Sequence, residues 1–120
     1  MSKADTASKF QSQGYNCAQS VALAFESETG VDSKILERAM SGFGSGMGSR
    51  EGTCGALTAA ILVSSLTGKG SNREIMKKFR EKVGGIYCKE IKGDNPQKKV
   101  LCSCPNCVRF GAEIAEEMAG

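Results

Sequence analysis

The residues of this chain able to do chemistry are six cysteines, in a sequence of 120 residues with no histidine. They are Cys17, Cys54, Cys88, Cys102, Cys104 and Cys107. The missing imidazole excludes Ser-His-Asp and Cys-His catalysis, histidine-ligated zinc or copper, and a histidine proton shuttle. Any bound metal must therefore take thiolate or oxygen ligands. Cys104 and Cys107 form a C-x-x-C, a spacing that lets two sulfurs converge on one metal or close as a dithiol. A zinc site built from two such pairs is not encoded, so further ligands would be the isolated Cys17, Cys54 and Cys88. A thioredoxin-like reading fails because no βαβ pattern surrounds the motif. Carboxylates such as Glu51 and Asp94 stand singly, which speaks against hydrolase or phosphoryl-transfer chemistry.

The elements that must position these thiols read as helices almost throughout. Residues 4–12 predict a short first helix. Asn16 caps a second, with Ala18, Val21, Ala22 and Phe25 on one face and Gly30 as its stop. Asp32 or Ser33 caps a third, carrying Ile35, Leu36, Ala39, Met40 and Phe43. A fourth, from Cys54 to Leu66, is apolar on most sides and should be central. Ser71 or Asn72 opens a long fifth helix with Ile75, Met76, Phe79, Val83, Ile86 and Tyr87 inward. Gly84-Gly85 inside it costs about 2 kcal/mol against alanine and should mark a kink, a break or a close backbone approach. Asp94-Asn95-Pro96 is a turn. The last helix opens at Cys104-Pro105, with proline in the favoured first turn. No β pattern, repeat or linker is visible. The expectation is an all-α chain, one compact domain over residues 1–120 with five or six helices and a glycine-rich loop before the central one.

On this layout Cys17, Cys54, Cys104 and Cys107 fall at helix starts, where free N–H groups and the helix dipole favour thiolate. Cys88 falls late in the fifth helix, where the dipole opposes ionisation, although Lys89 and Lys92 are near. The loop from Gly42 to Gly55 contains six of the fifteen glycines. A dinucleotide fingerprint fails at Ser49, and Gly68-Lys69 lacks the upstream glycine of a phosphate-binding loop. Gly44, Gly46, Gly48 and Gly55 are instead candidates to cradle the Cys54 sulfur or a cofactor there with backbone N–H groups. The alternative is a tight helix crossing that needs small residues.

Charge is uneven: residues 1–68 carry five Lys/Arg against six Asp/Glu, and residues 69–120 eleven against seven. The basic residues of the second half alternate with Glu74, Glu81 and Glu90 and read as a solvated helix face, so no nucleic-acid partner is expected. The longest apolar run, residues 59–63, is far short of the roughly 20 residues of a membrane span. The N-terminus lacks the apolar segment of a secretion signal. A cytoplasmic, reducing location is expected, where clustered cysteines read as metal-binding or catalytic rather than as structural disulfides.

Gly14-Tyr15-Asn16-Cys17-Ala18-Gln19-Ser20-Val21, Gly42-Phe43-Gly44-Ser45-Gly46-Met47-Gly48 and Cys54-Gly55-Ala56-Leu57-Thr58-Ala59 together resemble the C_GCAxxG_C_C family. The resemblance covers most of the chain and implies a helical fold and redox activity. It matches Cys17 and Cys54 to the family's first two cysteines and Cys88 to the third. Cys104 fits the fourth best, with Cys107 on the same turn. Ala59 stands where the C-G-A-x-x-G pattern ends in glycine, and Cys102 is extra. A related domain occurs beside haem and iron–sulfur chemistry in split-Soret cytochromes, but this chain has no C-x-x-C-H to attach a c-type haem.

Three functions follow as alternatives. The first is a metal centre held by Cys17, Cys54, Cys88 and Cys104, an iron–sulfur cluster for electron transfer or sensing, or a zinc. The second is a metal-free redox protein that cycles between dithiol and disulfide with a redox partner protein, Cys104 and Cys107 forming one couple and Cys17 with Cys54 or Cys88 another. The third is a helical interaction module with buried, inert thiols. A homodimer is compatible with all three.

Overall fold

Four of the helices begin where a short polar side chain takes up a free backbone N–H. Ser2 accepts from the Asp5 N–H at the head of α1 (Lys3–Ser12), and Asp32 accepts from Lys34 at α4 (Ser33–Met40). Ser71 does the same with Glu74 at α6 (Asn72–Val83). At α2 (Cys17–Leu23) Asn16 and Gln19 form a reciprocal capping box. The remaining elements are α3 (Glu26–Thr29), α5 (Gly55–Thr67), α7 (Cys88–Ile91) and α8 (Cys104–Ala119). A π turn at Gly46–Arg50 precedes α5. The structure is a computed structural model and describes residues 2–119. It is an all-α domain, and six of its helices have seven residues or more. The glycine-rich loop does precede the central helix.

That central helix is α5. Ala56, Leu57, Ala59, Ala60 and Val63 are buried on several sides of it, and it packs against α2, α6 and α8. Helix α1 lies along α8 and α2. The approach of α8 to α5 depends on a missing side chain, since a Cβ at Gly111 would stand 2.9 Å from the Ala56 carbonyl oxygen. Ala59, in the place of the motif's last glycine, is fully buried, so its methyl is accommodated in the core.

Two expected helices are shorter than their apolar periodicity predicts. The second stops at Leu23 rather than continuing to Gly30. There the Lys3 ammonium donates to the Ala24 carbonyl at 3.0 Å, pairs with the Glu28 carboxylate at 2.7 Å, and lies 5.2 Å from the centre of the buried Phe25 ring. Gly30 closes the separate α3 in a left-handed conformation. The long fifth helix ends at Val83, because Gly84 turns left-handed at φ 98° and its N–H bonds back to the Arg80 carbonyl. Of the three outcomes expected for Gly84-Gly85, the break is the one found. Cys88 consequently opens α7 instead of ending a long helix, and the expected opposing dipole is absent.

A short antiparallel contact, unforeseen in the sequence, ties the two cysteine-bearing segments together. Thr53 pairs with Tyr87, the Cys54 N–H donates to the Ile86 carbonyl at 2.7 Å, and the Cys88 N–H donates to Gly52 at 3.0 Å. The Ile86 N–H is taken by the Glu90 carboxylate. The Leu101 N–H bonds to the Ile91 carbonyl, which anchors the entry to α8 against α7.

Candidate functional site

Four segments bring five thiols to one cavity of about 180 Å³, lined by Cys17, Cys54, Cys88, Cys104 and Cys107 with Ser45, Arg50, Gly55, Ile91 and Lys92. Every cysteine expected to act therefore reaches the same hollow. A larger open groove along α4, beside Lys34, Ile35 and Arg38, carries no thiol among its lining residues. The cavity lining contains two cations and no carboxylate.

Local structure fixes each sulfur. Cys17 is the first residue of α2, held by the Asn16 capping box, and the Asn16 amide also donates to the Met40 and Ser41 carbonyls at the end of α4. Cys54 is the N-cap of α5. Its sulfur faces the Ala56 and Leu57 N–H groups without closing a cap bond of ordinary oxygen geometry. Cys104 opens α8 and accepts a hydrogen bond from the Gln11 amide at 3.5 Å. Cys107 lies one turn further and is buried, whereas Cys104 is partly open to solvent. Cys88 is buried on the cavity wall.

The thiols are not equivalent, because they form two donor–acceptor pairs. Cys17 pairs with Cys104, and Cys54 with Cys107. In the first pair the Cys17 S–H supports a Cys104 thiolate against the cost of burial, with Lys92 and the Gln11 amide helping, and Cys104 is lowered to about 6. Cys17 is held up by donating that bond and by burial. In the second pair Cys107 donates and Cys54 accepts, and the Leu57 and Ala56 amides add to it, so Cys54 falls to about 7. The Cys107 thiol is correspondingly held up. Cys88 belongs to neither pair; burial, then the charge of Cys54, raise it against the pull of Lys92 and Arg50. Cys102 is also raised, first by burial, although the Cys107 thiol donates to it.

The glycine loop serves this site differently from the expectation. Its amide contact goes to Cys17, through the Ser45 N–H, and not to Cys54. Ser45, Met47 and Arg50 all adopt left-handed backbone conformations, a strain typical of functional sites at about 1–3 kcal/mol per residue. Of the four candidate glycines, only Gly55 lines the cavity. A Cβ there would meet the Cys17 sulfur at 2.5 Å and the Phe43 carbonyl at 2.8 Å. Gly46 packs against the Cys88 Cβ in the same way, Gly44 lies against the Asn16 side chain, and Gly48 has open space above it. The crowding at Gly44, Gly46 and Gly55 comes from protein atoms. Sequence reasoning placed Lys92 near Cys88 but missed Arg50 and Gln11, whose positions depend on the π turn and on how α1 meets α8.

A model of the C_GCAxxG_C_C family, described as "Putative redox-active protein", matches residues 15–118. The chain belongs to this family. No curated protein and no solved structure matches it. The C_GCAxxG_C_C match spans all six cysteines, so the cavity lies wholly within it. Among the described residues no helix is long and apolar enough to cross a membrane. All six cysteines are free thiols, and among the described residues no three Cys, Asp or Glu side chains form a group able to hold a metal ion. That pattern of two-and-two fits poorly with one four-coordinate zinc, whose thiolates must converge on a single point.

Proposed function

We propose that the protein is a thiol redox protein whose working groups are the couples Cys17–Cys104 and Cys54–Cys107 facing one cavity. The observation that carries this reading is the pairing itself. Each couple sets a sulfur favoured as thiolate beside one that keeps its proton, which supplies an attacking group and a resolving group. Cys104 is the attacking sulfur of the outer couple, since it is the thiolate that solvent reaches. Cys104 attacks a disulfide of a partner molecule, an S–S bond breaks, and one partner sulfur leaves as a thiol. Cys17 then loses its proton and attacks the Cys104 sulfur, releasing the second partner sulfur. The protein dithiol is oxidised to a disulfide, the partner disulfide is reduced to two thiols, and two electrons have moved.

A second reading is favoured by the placement of both pairs on the same cavity beside Arg50 and Lys92. A [2Fe–2S] cluster takes two protein ligands on each iron, so Cys17 with Cys104 and Cys54 with Cys107 would hold it, and the two cations would offset its charge. Such a cluster, when bound, supplies one-electron transfer. The chain's own contribution would be to hold four thiolates, to donate N–H groups from Ser45, Ala56 and Leu57, and to keep bulk water from the buried pair.

One preparation separates the readings. Protein purified without oxygen is analysed for visible absorbance, iron, sulfide and zinc, then treated with a small disulfide and mapped by peptide mass spectrometry. The thiol reading expects a colourless, metal-free protein that acquires Cys17–Cys104 and Cys54–Cys107 links. A brown protein with equal iron and sulfide overturns it in favour of the cluster. Six thiols that stay reduced and unreactive in native protein overturn both and leave an inert helical module.

A further inference from the structure

The dithiol reading gives Cys102 no task, and the cysteine set implied by family resemblance does not include it. Its surroundings are nevertheless specific. Cys102 sits on a bend just before α8 and is partly exposed. Its thiol is hydrogen-bonded to Cys107, yet it is not among the residues lining the cavity. It therefore meets Cys107 from outside the hollow. The inner couple is the reverse case: Cys54 is 6% exposed and Cys107 2%, so a disulfide between them is out of reach of a partner's thiol.

We propose that Cys102 is the resolving thiol of the inner couple, carrying its oxidation to the protein surface. The inference rests on the dithiol reading above. In the step, the Cys102 sulfur gives its proton to solvent and attacks the Cys107 sulfur of a Cys54–Cys107 disulfide. The Cys102–Cys107 bond forms, the Cys54–Cys107 bond breaks, and Cys54 leaves as a thiolate. No electrons enter or leave the protein in this exchange. A dithiol reductant then attacks the exposed Cys102 sulfur and takes the two oxidising equivalents. The geometry sets the direction. The hydrogen bond of Cys102 runs to Cys107, and the departing Cys54 sulfur is received by the Ala56 and Leu57 amides at the head of the 13-residue α5.

The test uses the full chain with the outer couple removed, C17S/C104S, oxidised with diamide, quenched in acid and cleaved with trypsin. Residues 100–109 then carry only Cys102 and Cys107, and Cys54 lies in residues 51–69. The expected product sequence is a cross-link between these two peptides that converts to a free 51–69 peptide and a 100–109 peptide lighter by two hydrogens. With C102S added, the cross-link persists, and its reduction by thioredoxin slows by about tenfold or more, while dithiothreitol in urea reduces both variants alike. A cross-link that persists in C17S/C104S, with equal thioredoxin rates in both variants, overturns the relay and leaves the dithiol reading intact. Absence of any Cys54–Cys107 link, in this variant and in wild type, overturns both. If C17S/C104S does not fold, wild type and C102S give the same comparison, with fragmentation of the 100–109 peptide locating the bond.

Discussion

Cys104 and Cys17 differ by what each gives the other. Cys104 is lowered to about 6, chiefly by the Cys17 S–H, and Cys17 is held up by making that same bond. Reactivity should therefore track a single hydrogen bond. Alkylation of native reduced protein with iodoacetamide, read by peptide mapping, should label Cys104 first, with a rate that rises through about pH 6 and levels off above it. Cys17→Ala removes the donor, so the midpoint should move up toward the ordinary value of 9.0. Cys17→Ser keeps an O–H donor and should move it less. If both variants keep the wild-type profile, Lys92 and the Gln11 amide stabilise the thiolate unaided. At this scale the sequence was legible in part. The positions of Cys17, Cys54 and Cys104 at helix starts followed from Asn16, the loop glycines and Pro105. Which sulfur faces which did not, because pairing across α2, α5 and α8 is set by tertiary packing and leaves no spacing to read.

The elements hold the thiols by local devices of unequal visibility. The Asn16 cap was readable from the sequence, but the Gln19 half of the box and the Asn16 amide bonds to the end of α4 came from the structure. Asn16→Ala should cost about 1–2 kcal/mol in denaturant unfolding through lost capping alone. The Gly84 break illustrates a different limit. Two glycines announced an interruption, but the apolar run through Tyr87 still argued for one helix. The break is decided by pairing of Gly52–Cys54 with Ile86–Cys88, between segments far apart in sequence. The loop glycines separate cleanly by what surrounds them. Gly55→Ala puts a methyl against the Cys17 sulfur, so it should destabilise the fold by about 1–3 kcal/mol and slow oxidation of Cys17–Cys104, with Cys54–Cys107 unchanged. Gly48→Ala meets no neighbour but must hold φ 80°. It should cost about 1 kcal/mol of backbone strain and leave thiol oxidation at the wild-type rate. Equal effects of the two variants on Cys17–Cys104 oxidation would mean that Gly55 acts by backbone freedom and not by clearance for the sulfur.

At the scale of the molecule, the all-α fold and its central helix were legible, since α5 is apolar nearly all round and the other helices carry single apolar faces. The arrangement has a consequence for stability against pH. Cys104 and Cys54 are lowered in the folded protein to about 6 and about 7 from an ordinary 9.0. Their contribution is fully present above 9 and is lost as pH falls through 7 to 6. Cys17 and Cys107 are raised above 9.0, so their contribution is present below that value and declines as pH rises beyond it. The two trends have opposite signs, and reduced protein should be most stable near pH 9, with melting temperature falling on both sides. Oxidation removes all four protons and so removes this dependence. The same bonds join α8 to α2 and to α5 across long loops, each adding about 2–4 kcal/mol. Oxidised protein should thus melt roughly 10 °C or more above reduced protein at neutral pH, with a flatter pH profile from about 6 to 9. Calorimetry of both forms across that range decides it. A reduced protein whose melting temperature tracks the oxidised form at every pH would mean that the pairs are neither ionised nor coupled to folding, and the two-couple reading would fail with them.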